Sequence, residues 1–325
     1  MKMETVVDLN TPIASSLEQV LECFDRELRS DLPFVNRLTA QVRRYRGKLL
    51  RPKLLLMAGR LTGELCHDHV VLAAVVEMVH MATLVHDDVL DNADVRRRQE
   101  TINRLIGNEG AVLLGDYLIS HAYHLCSSLG STHASRRIAA ATNTVCEGEL
   151  MQIENRGNLE LTESDYLEII RRKTASLTSL CCELGAKVSG ADDEIVEHLA
   201  AYGLEIGMAF QIVDDLLDLT ATESETGKTV GRDADLGILT LPLIRFMAEA
   251  STSDRTKLAE VLSNGHPQKT EQVRAMIGDS SYLDEAMGVA RSYVQSAIMH
   301  LNNLPDNDAK TSLITTAEFV IQRRQ

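Results

Sequence analysis

Basic residues are in short supply. The chain sets 33 lysines and arginines against 47 aspartates and glutamates, a formal charge of −14. That deficit argues against nucleic acid as a partner, because a phosphate backbone is gripped by a basic stripe. It also means that an anionic ligand must be held by metal and by a few local Lys and Arg. A linker is missing too. No Pro-, Gly- or Ser-rich stretch and no charge block divides the 325 residues, so one domain over 1–325 is expected. The six cysteines have neither metal-ligand nor disulfide spacing, and the adjacent Cys181-Cys182 falls in a helix-like run as core thiols. The opening MKMETVVDLN lacks the apolar stretch of a signal peptide. No apolar run reads as long and uncharged enough to span a bilayer; the best, 70–85, carries Glu77 and His80. No integral membrane segment and a reducing, cytoplasmic setting are therefore expected.

What is present points to helices. Strand signals are weak, Leu, Ala, Glu, Met and Arg are plentiful, and 44% apolar content can fill a large core, so the fold class is all-α. Helix-like segments run over 13–29, 34–45, 51–61, 68–91, 109–129, 133–154, 163–189, 192–219, 240–250, 254–263, 270–277, 281–301 and 308–323. Thr162-Glu163-Ser164-Asp165 has the pattern of a helix N-cap. The longest irregular stretch, about 220–239 with Gly227, Gly231 and Gly237, reads as a lid or phosphate-binding loop.

Two acidic motifs carry the chemistry. Asp87-Asp88-Val89-Leu90-Asp91 and Asp214-Asp215-Leu216-Leu217-Asp218 each end an apolar helical run. Residues four apart share a helix face, so Asp87 pairs with Asp91 and Asp214 with Asp218. Like charges so placed repel, and burying them requires neutralisation. Hard divalent cations supply it, and Mg²⁺ favours one or two carboxylates plus substrate phosphates. Glu77, His80, Asp87 and Asp91 step along one side of a helix apolar elsewhere, so that stripe should face a cavity. Gly207, Gln211, Asp214 and Asp218 repeat the pattern, with Gly207 leaving room on that face. The cations stand apart: Lys48 and Arg51 beside Gly47, with Pro52 suited to a first helical turn; Arg96-Arg97-Arg98; Lys173-Thr174; and Lys228 in the long loop. Singly, each reads as a solvated surface charge. With two acid clusters they make a double anion site.

With these residues in hand, the chain resembles the trans-isoprenyl diphosphate synthases, the polyprenyl synthetase family. The motifs come in order: GKLLRP at 47–52, HMATLVHDDVLDNADVRRR at 80–98, GDYL at 115–118, KTASL at 173–177, FQIVDDLLD at 210–218, GKTVGRD at 227–233 and TLP at 240–242. The resemblance implies an antiparallel helical bundle around a deep central cavity (the isoprenoid synthase fold), a homodimer, and head-to-tail transfer of an allylic prenyl group onto isopentenyl diphosphate. It implies three Mg²⁺ ions, two on Asp87 and Asp91 and one on Asp214, with Asp88, Asp215 and Asp218 in support. Arg96, Lys173, Thr174, Gln211 and Lys228 would hold the allylic diphosphate. Lys48, Arg51, His80 and Arg97 would hold isopentenyl diphosphate, with Arg323 or Arg324 approaching it. Released pyrophosphate would take the proton.

Three positions depart from the family pattern: Ile238 stands where Lys is usual, Arg98 where Gly is common, and Leu49 where Arg is frequent. The first should weaken allylic binding or slow ionisation. Small Ala82 and Thr83, where an aromatic would stop growth, imply a product longer than geranylgeranyl, with a floor at Ala82 and Thr83 absent and Tyr117, Leu118 or His121 as alternatives. Two rival enzymes explain less. A phosphohydrolase built on His86-Asp87 leaves the second acidic motif idle, and a class I terpene cyclase leaves Lys48, Arg51 and His80 idle. A regulatory subunit of a heteromeric synthase would typically have lost the aspartates.

Overall fold

A computed structural model describes residues 11–96, 99–221, 230–263, 269–278 and 281–322. After a 3₁₀ turn (Thr11–Ile13), α1 (Ala14–Glu27), α2 (Pro33–Arg44), α3 (Leu50–Thr62) and α4 (His67–Leu90) lead to a small antiparallel hairpin, β1 (Val95–Arg96) and β2 (Gln99–Glu100). Then come α5 (Ile102–Ser127), α6 (Thr132–Glu154), α7 (Glu163–Ile170), a π-helical turn (Arg171–Ala175), α8 (Ser176–Val188) and α9 (Asp193–Thr220). The chain closes with α10 (Arg232–Asp235), α11 (Leu241–Glu249), α12 (Thr252–Ser263), α13 (Lys269–Ile277), α14 (Tyr282–His300) and α15 (Asp308–Gln322). The all-α reading holds; the hairpin and α10 are additions to it.

α4 is the axis of the bundle. Valines, methionines and alanines from Val70 to Val85 are buried on nearly every side, against α1, α3, α5 and α8. Each such Val or Met contributes about 1.5–3 kcal/mol by leaving water. By length and composition α4 is in fact apolar enough to cross a bilayer, which corrects the reading of the 70–85 run. Its apolar window is 78% buried inside the fold, as a core helix should be. A short turn joins α8 to α9, so this packed pair runs antiparallel.

Local signals set the ends. Thr162 caps α7 as expected: its hydroxyl accepts from Asp165 N at 3.1 Å and Thr162 N donates to the Asp165 carboxylate. The helix expected at 109 begins at Ile102 but breaks at Gly107, whose φ of 76° only glycine adopts freely. α4 stops at Asp91, and Asn92 takes a left-handed φ of 49° while Ala93 N returns to Asp88 O.

Candidate active site

Both acidic motifs lie at helix C-termini, Asp87 to Asp91 ending α4 and Asp214 to Asp218 ending α9. Carbonyl dipoles already make those ends negative, so carboxylates there are doubly disfavoured. The two ends line one cavity of about 730 Å³, together with Arg51, His80, Thr83, Arg96, Lys173, Thr174 and Gln211. The polar stripe on α4 does face a cavity, although Glu77 itself is buried outside the lining.

The first wall is electrostatically loaded. Burial lifts the Asp87 carboxyl to about 6; Lys173 pulls it down, and Glu149 and Asp91 push it up. Asp88 is fully buried. Its Oδ1 accepts from Arg96 Nε at 2.8 Å, while Oδ2 is buried with no hydrogen-bond partner. Asp91 accepts from Arg156 Nη2 at 3.1 Å. Lys173 Nζ bridges to Glu149 at 2.6 Å. Arg51 lines the cavity with a buried, unpartnered Nε, and burial lowers its basicity.

The second wall is a hydrogen-bonded chain. Thr174 Oγ1 donates to Gln211 Oε1 at 2.7 Å, Gln211 Nε2 donates to Asp215 Oδ1 at 2.7 Å, and Tyr166 OH donates to Asp215 Oδ2 at 2.6 Å. Burial raises the Asp215 carboxyl to about 7, against the pull of those two donors. With both oxygens engaged, Asp215 orients Gln211, whose second amide hydrogen is left for a ligand. Asp218 Oδ2 accepts from Asp233 N at 3.1 Å and so ties Asp233 to the end of α9.

Tight crossings aim these groups. Lys173 and Thr174 sit in the π turn, where an extra residue rotates the helix face, a frequent feature of functional sites. A Cβ on Gly148 would come 2.5 Å from Lys173 N, so only glycine lets α6 approach there. Gly207 does not leave room for a ligand, as its place on the polar face suggested. A Cβ there would come 2.5 Å from Ala175 Cα, because the π turn and α8 fill that space. Gly207→Val should cost about 1–3 kcal/mol by overpacking and break the Thr174–Gln211 contact. An unchanged urea midpoint would contradict the tight crossing.

Other expected residues fall elsewhere. Lys48 is not in the lining; its ammonium stands 5.0 Å from the Phe319 ring. Ala82 is fully buried in the core and Thr83 alone of that pair opens onto the cavity. Tyr117, Leu118 and His121 do not line it, and His121 Nδ1 instead meets Glu27 at 3.2 Å. Arg97, Arg98, Lys228, Arg323 and Arg324 lie outside the described residues. Glu149, Tyr166 and Arg232 line the cavity unforeseen; of these only Arg232 fell within a recognised motif.

The donor set suits a hard cation. It is carboxylate oxygen throughout, and one buried Asp88 oxygen is orphaned. Among the described residues, no three His, Cys, Asp or Glu side chains gather as a self-sufficient metal site. Ligand phosphates would complete the shell, as Mg²⁺ prefers.

Known proteins resemble this chain in sequence and fold. The family model described as Polyprenyl synthetase matches residues 33–279. Heptaprenyl diphosphate synthase component 2 of Bacillus subtilis is 34% identical over 314 residues, 95% of this chain and 90% of the relative. A decaprenyl diphosphate synthase from Rhodobacter capsulatus has a similar crystal structure, with a TM-score of 0.92 and 35% identity over 98% of each chain. A polyprenyl synthase from Caulobacter crescentus CB15, complexed with calcium and isoprenyl diphosphate, gives a TM-score of 0.93 at 32% identity, covering 98% of this chain and 97% of that one.

Proposed function

The chain belongs to the polyprenyl synthetase family and is a prenyltransferase that elongates an allylic diphosphate head to tail beyond geranylgeranyl length; we propose that it does so with Mg²⁺ held between its two acidic motifs. The observation that carries this reading is the shared cavity, which joins both carboxylate walls, Arg51, Arg96 and Lys173 to an apolar interior.

Asp87, Asp91 and Asp214 would hold three Mg²⁺ ions. Bound there, they would supply positive charge against that building on the departing pyrophosphate. Lys173, Thr174, Gln211, Arg96 and Lys228 grip the allylic diphosphate, with Lys173 exchanging Glu149 for phosphate oxygens. Arg51, His80 and Arg97 hold isopentenyl diphosphate; Lys48 joins them by leaving Phe319. Leu84, Val145, Ile170 and Phe210 line the cavity with hydrocarbon and exclude water from the allylic cation. Pyrophosphate accepts the proton lost after the new bond forms. The product is one isoprene unit longer, and its tail descends past Thr83.

Leu105, Val112, Leu113 and Tyr123 on α5 are exposed, Leu113 at 68%. An apolar face of this kind supports a homodimer. The name "component 2" of the Bacillus relative favours a second reading, a two-component enzyme. Light scattering on the purified chain should report an active dimer; an inactive chain would support the second reading. The six free cysteines, two of them sealed in α8, suit a cytoplasmic setting.

The test is to incubate the protein with Mg²⁺, an allylic diphosphate and labelled isopentenyl diphosphate, with and without a chelator. Label in an elongated, chelator-sensitive product is expected. A cyclic hydrocarbon from the allylic substrate alone, or phosphate release without elongation, would contradict it.

A further inference from the structure

The segment Gly231 to Asp233 lies between the two acidic motifs and is bonded to both. Its backbone belongs to the second: Gly231 N donates to Asp218 O at 3.0 Å, and Asp233 N donates to Asp218 Oδ2 at 3.1 Å. Its side chain belongs to the first, for Arg232 Nη2 donates to the Asp91 carbonyl. Burial raises the Asp88 carboxyl, and Arg96 and Arg232 both oppose the rise, so the Arg232 charge reaches Asp88 as well. Arg232 is half-buried and lines the cavity.

Further on, the described part of this segment carries Asp233 and Asp235 but no second cation. Ile238 also lines the cavity, held by its N–H to Asp233 O at 2.8 Å, and offers only hydrocarbon. Gly157 N donates to Gly237 O at 2.8 Å and ties this end of the loop to the chain after α6. The described segment from Gly231 to Ile238 is therefore anchored at both ends, with a cation at Arg232 and an apolar wall at Ile238.

A neutral carbonyl is a modest partner for a guanidinium with five N–H groups. A diphosphate oxygen placed between the motifs would be a stronger one, because both partners are then charged. The geometry points to Arg232 as a further ligand of the allylic diphosphate and of the pyrophosphate it releases. It supplies from the second motif's loop the positive charge that Ile238 lacks. The inference rests on the proposed function, in that it takes the anion between the motifs to be a diphosphate.

The experiment has two readouts: calorimetric binding of inorganic pyrophosphate in Mg²⁺, which needs no turnover, and separate KM values for the two substrates. Arg232→Met should weaken pyrophosphate binding and raise the allylic KM by roughly 10- to 100-fold, the range for a lost charge-assisted bond. The isopentenyl KM should stay within about twofold, and Arg232→Lys should retain most of the affinity. Adding Ile238→Lys to Arg232→Met should restore binding to within about threefold, because the charge returns to the same loop. A merely structural Arg232 would not be rescued in this way. Ile238→Lys alone removes no polar contact, and it should tighten pyrophosphate binding several-fold.

The inference is overturned if Arg232→Met binds pyrophosphate as the parent does. It is equally overturned if both KM values rise together without rescue, or if Ile238→Lys alone leaves binding unchanged. A parent protein that binds pyrophosphate but elongates nothing would instead refute the proposed function and leave the role of Arg232 standing.

Discussion

Asp87→Asn should abolish elongation while making the ligand-free protein more stable at neutral pH. The activity loss is expected to be about 10²–10³-fold or more, the usual result of removing a group that stabilises transition-state charge. Stability moves the other way because of what surrounds Asp87. Burial lifts its carboxyl from 3.8 to about 6, with Glu149 and Asp91 adding to the rise and Lys173 failing to cancel it. Between those two values the folded protein holds a proton that the unfolded chain has lost. Folding stability from this group is thus full below about pH 4 and falls as pH rises toward 6. Above that the ionised carboxylate costs about 1–3 kcal/mol. The Asn variant escapes the cost, so its urea midpoint should exceed the parent's at pH 7.5 and match it more closely at pH 4. A variant that is less stable at pH 7.5 would mean that the Lys173 pairing outweighs burial.

Thr83→Phe should shorten the product to geranylgeranyl length or less. Thr83 lies one helical turn before Asp87 on the cavity face of α4, its hydroxyl turned back to His80 O at 2.8 Å. A phenyl ring there projects across the path of a tail whose diphosphate is anchored at Asp87. Initiation on a short allylic primer should survive, so total turnover falls less than chain length. Ala82→Phe acts on a different surface. Ala82 is sealed in the core, so a ring there must overpack α4, costing about 1–3 kcal/mol. It too should shorten the product, but with a lowered melting temperature that Thr83→Phe does not share. Chromatography of the dephosphorylated products decides the matter. An unchanged length in Thr83→Phe would move the tail path off this face.

The acidic motifs were legible because they defy local rules. Carboxylates four apart at the negative ends of two apolar helices have no structural excuse, and α4 and α9 end within a residue or two of where the pattern places them. The apolar period likewise gave most helix bounds. What the sequence concealed depends on contacts distant in the chain. One helix was expected over 163–189, yet a π turn interrupts it at Arg171–Ala175, where Gly148 of α6 packs. Gly207 looks like an opening when α9 is drawn alone and is a crossing point once α8 is present. Ala82 and Thr83 are neighbours in sequence, but 100° of helical rotation puts one in the core and the other in the cavity. Arg156 and Arg232 carry no periodic signal, since they stand just past α6 and at the start of the four-residue α10. Only the fold brings both to Asp91.

The most direct measurement is product length from the purified chain supplied with Mg²⁺, farnesyl diphosphate and an excess of labelled isopentenyl diphosphate. The expected result is a ladder of prenyl diphosphates that ends well beyond geranylgeranyl and vanishes when the metal is chelated. A ladder that stops at geranylgeranyl, or label that never leaves isopentenyl diphosphate although Mg²⁺ is present, would contradict a two-walled diphosphate site opening onto an unblocked tail path.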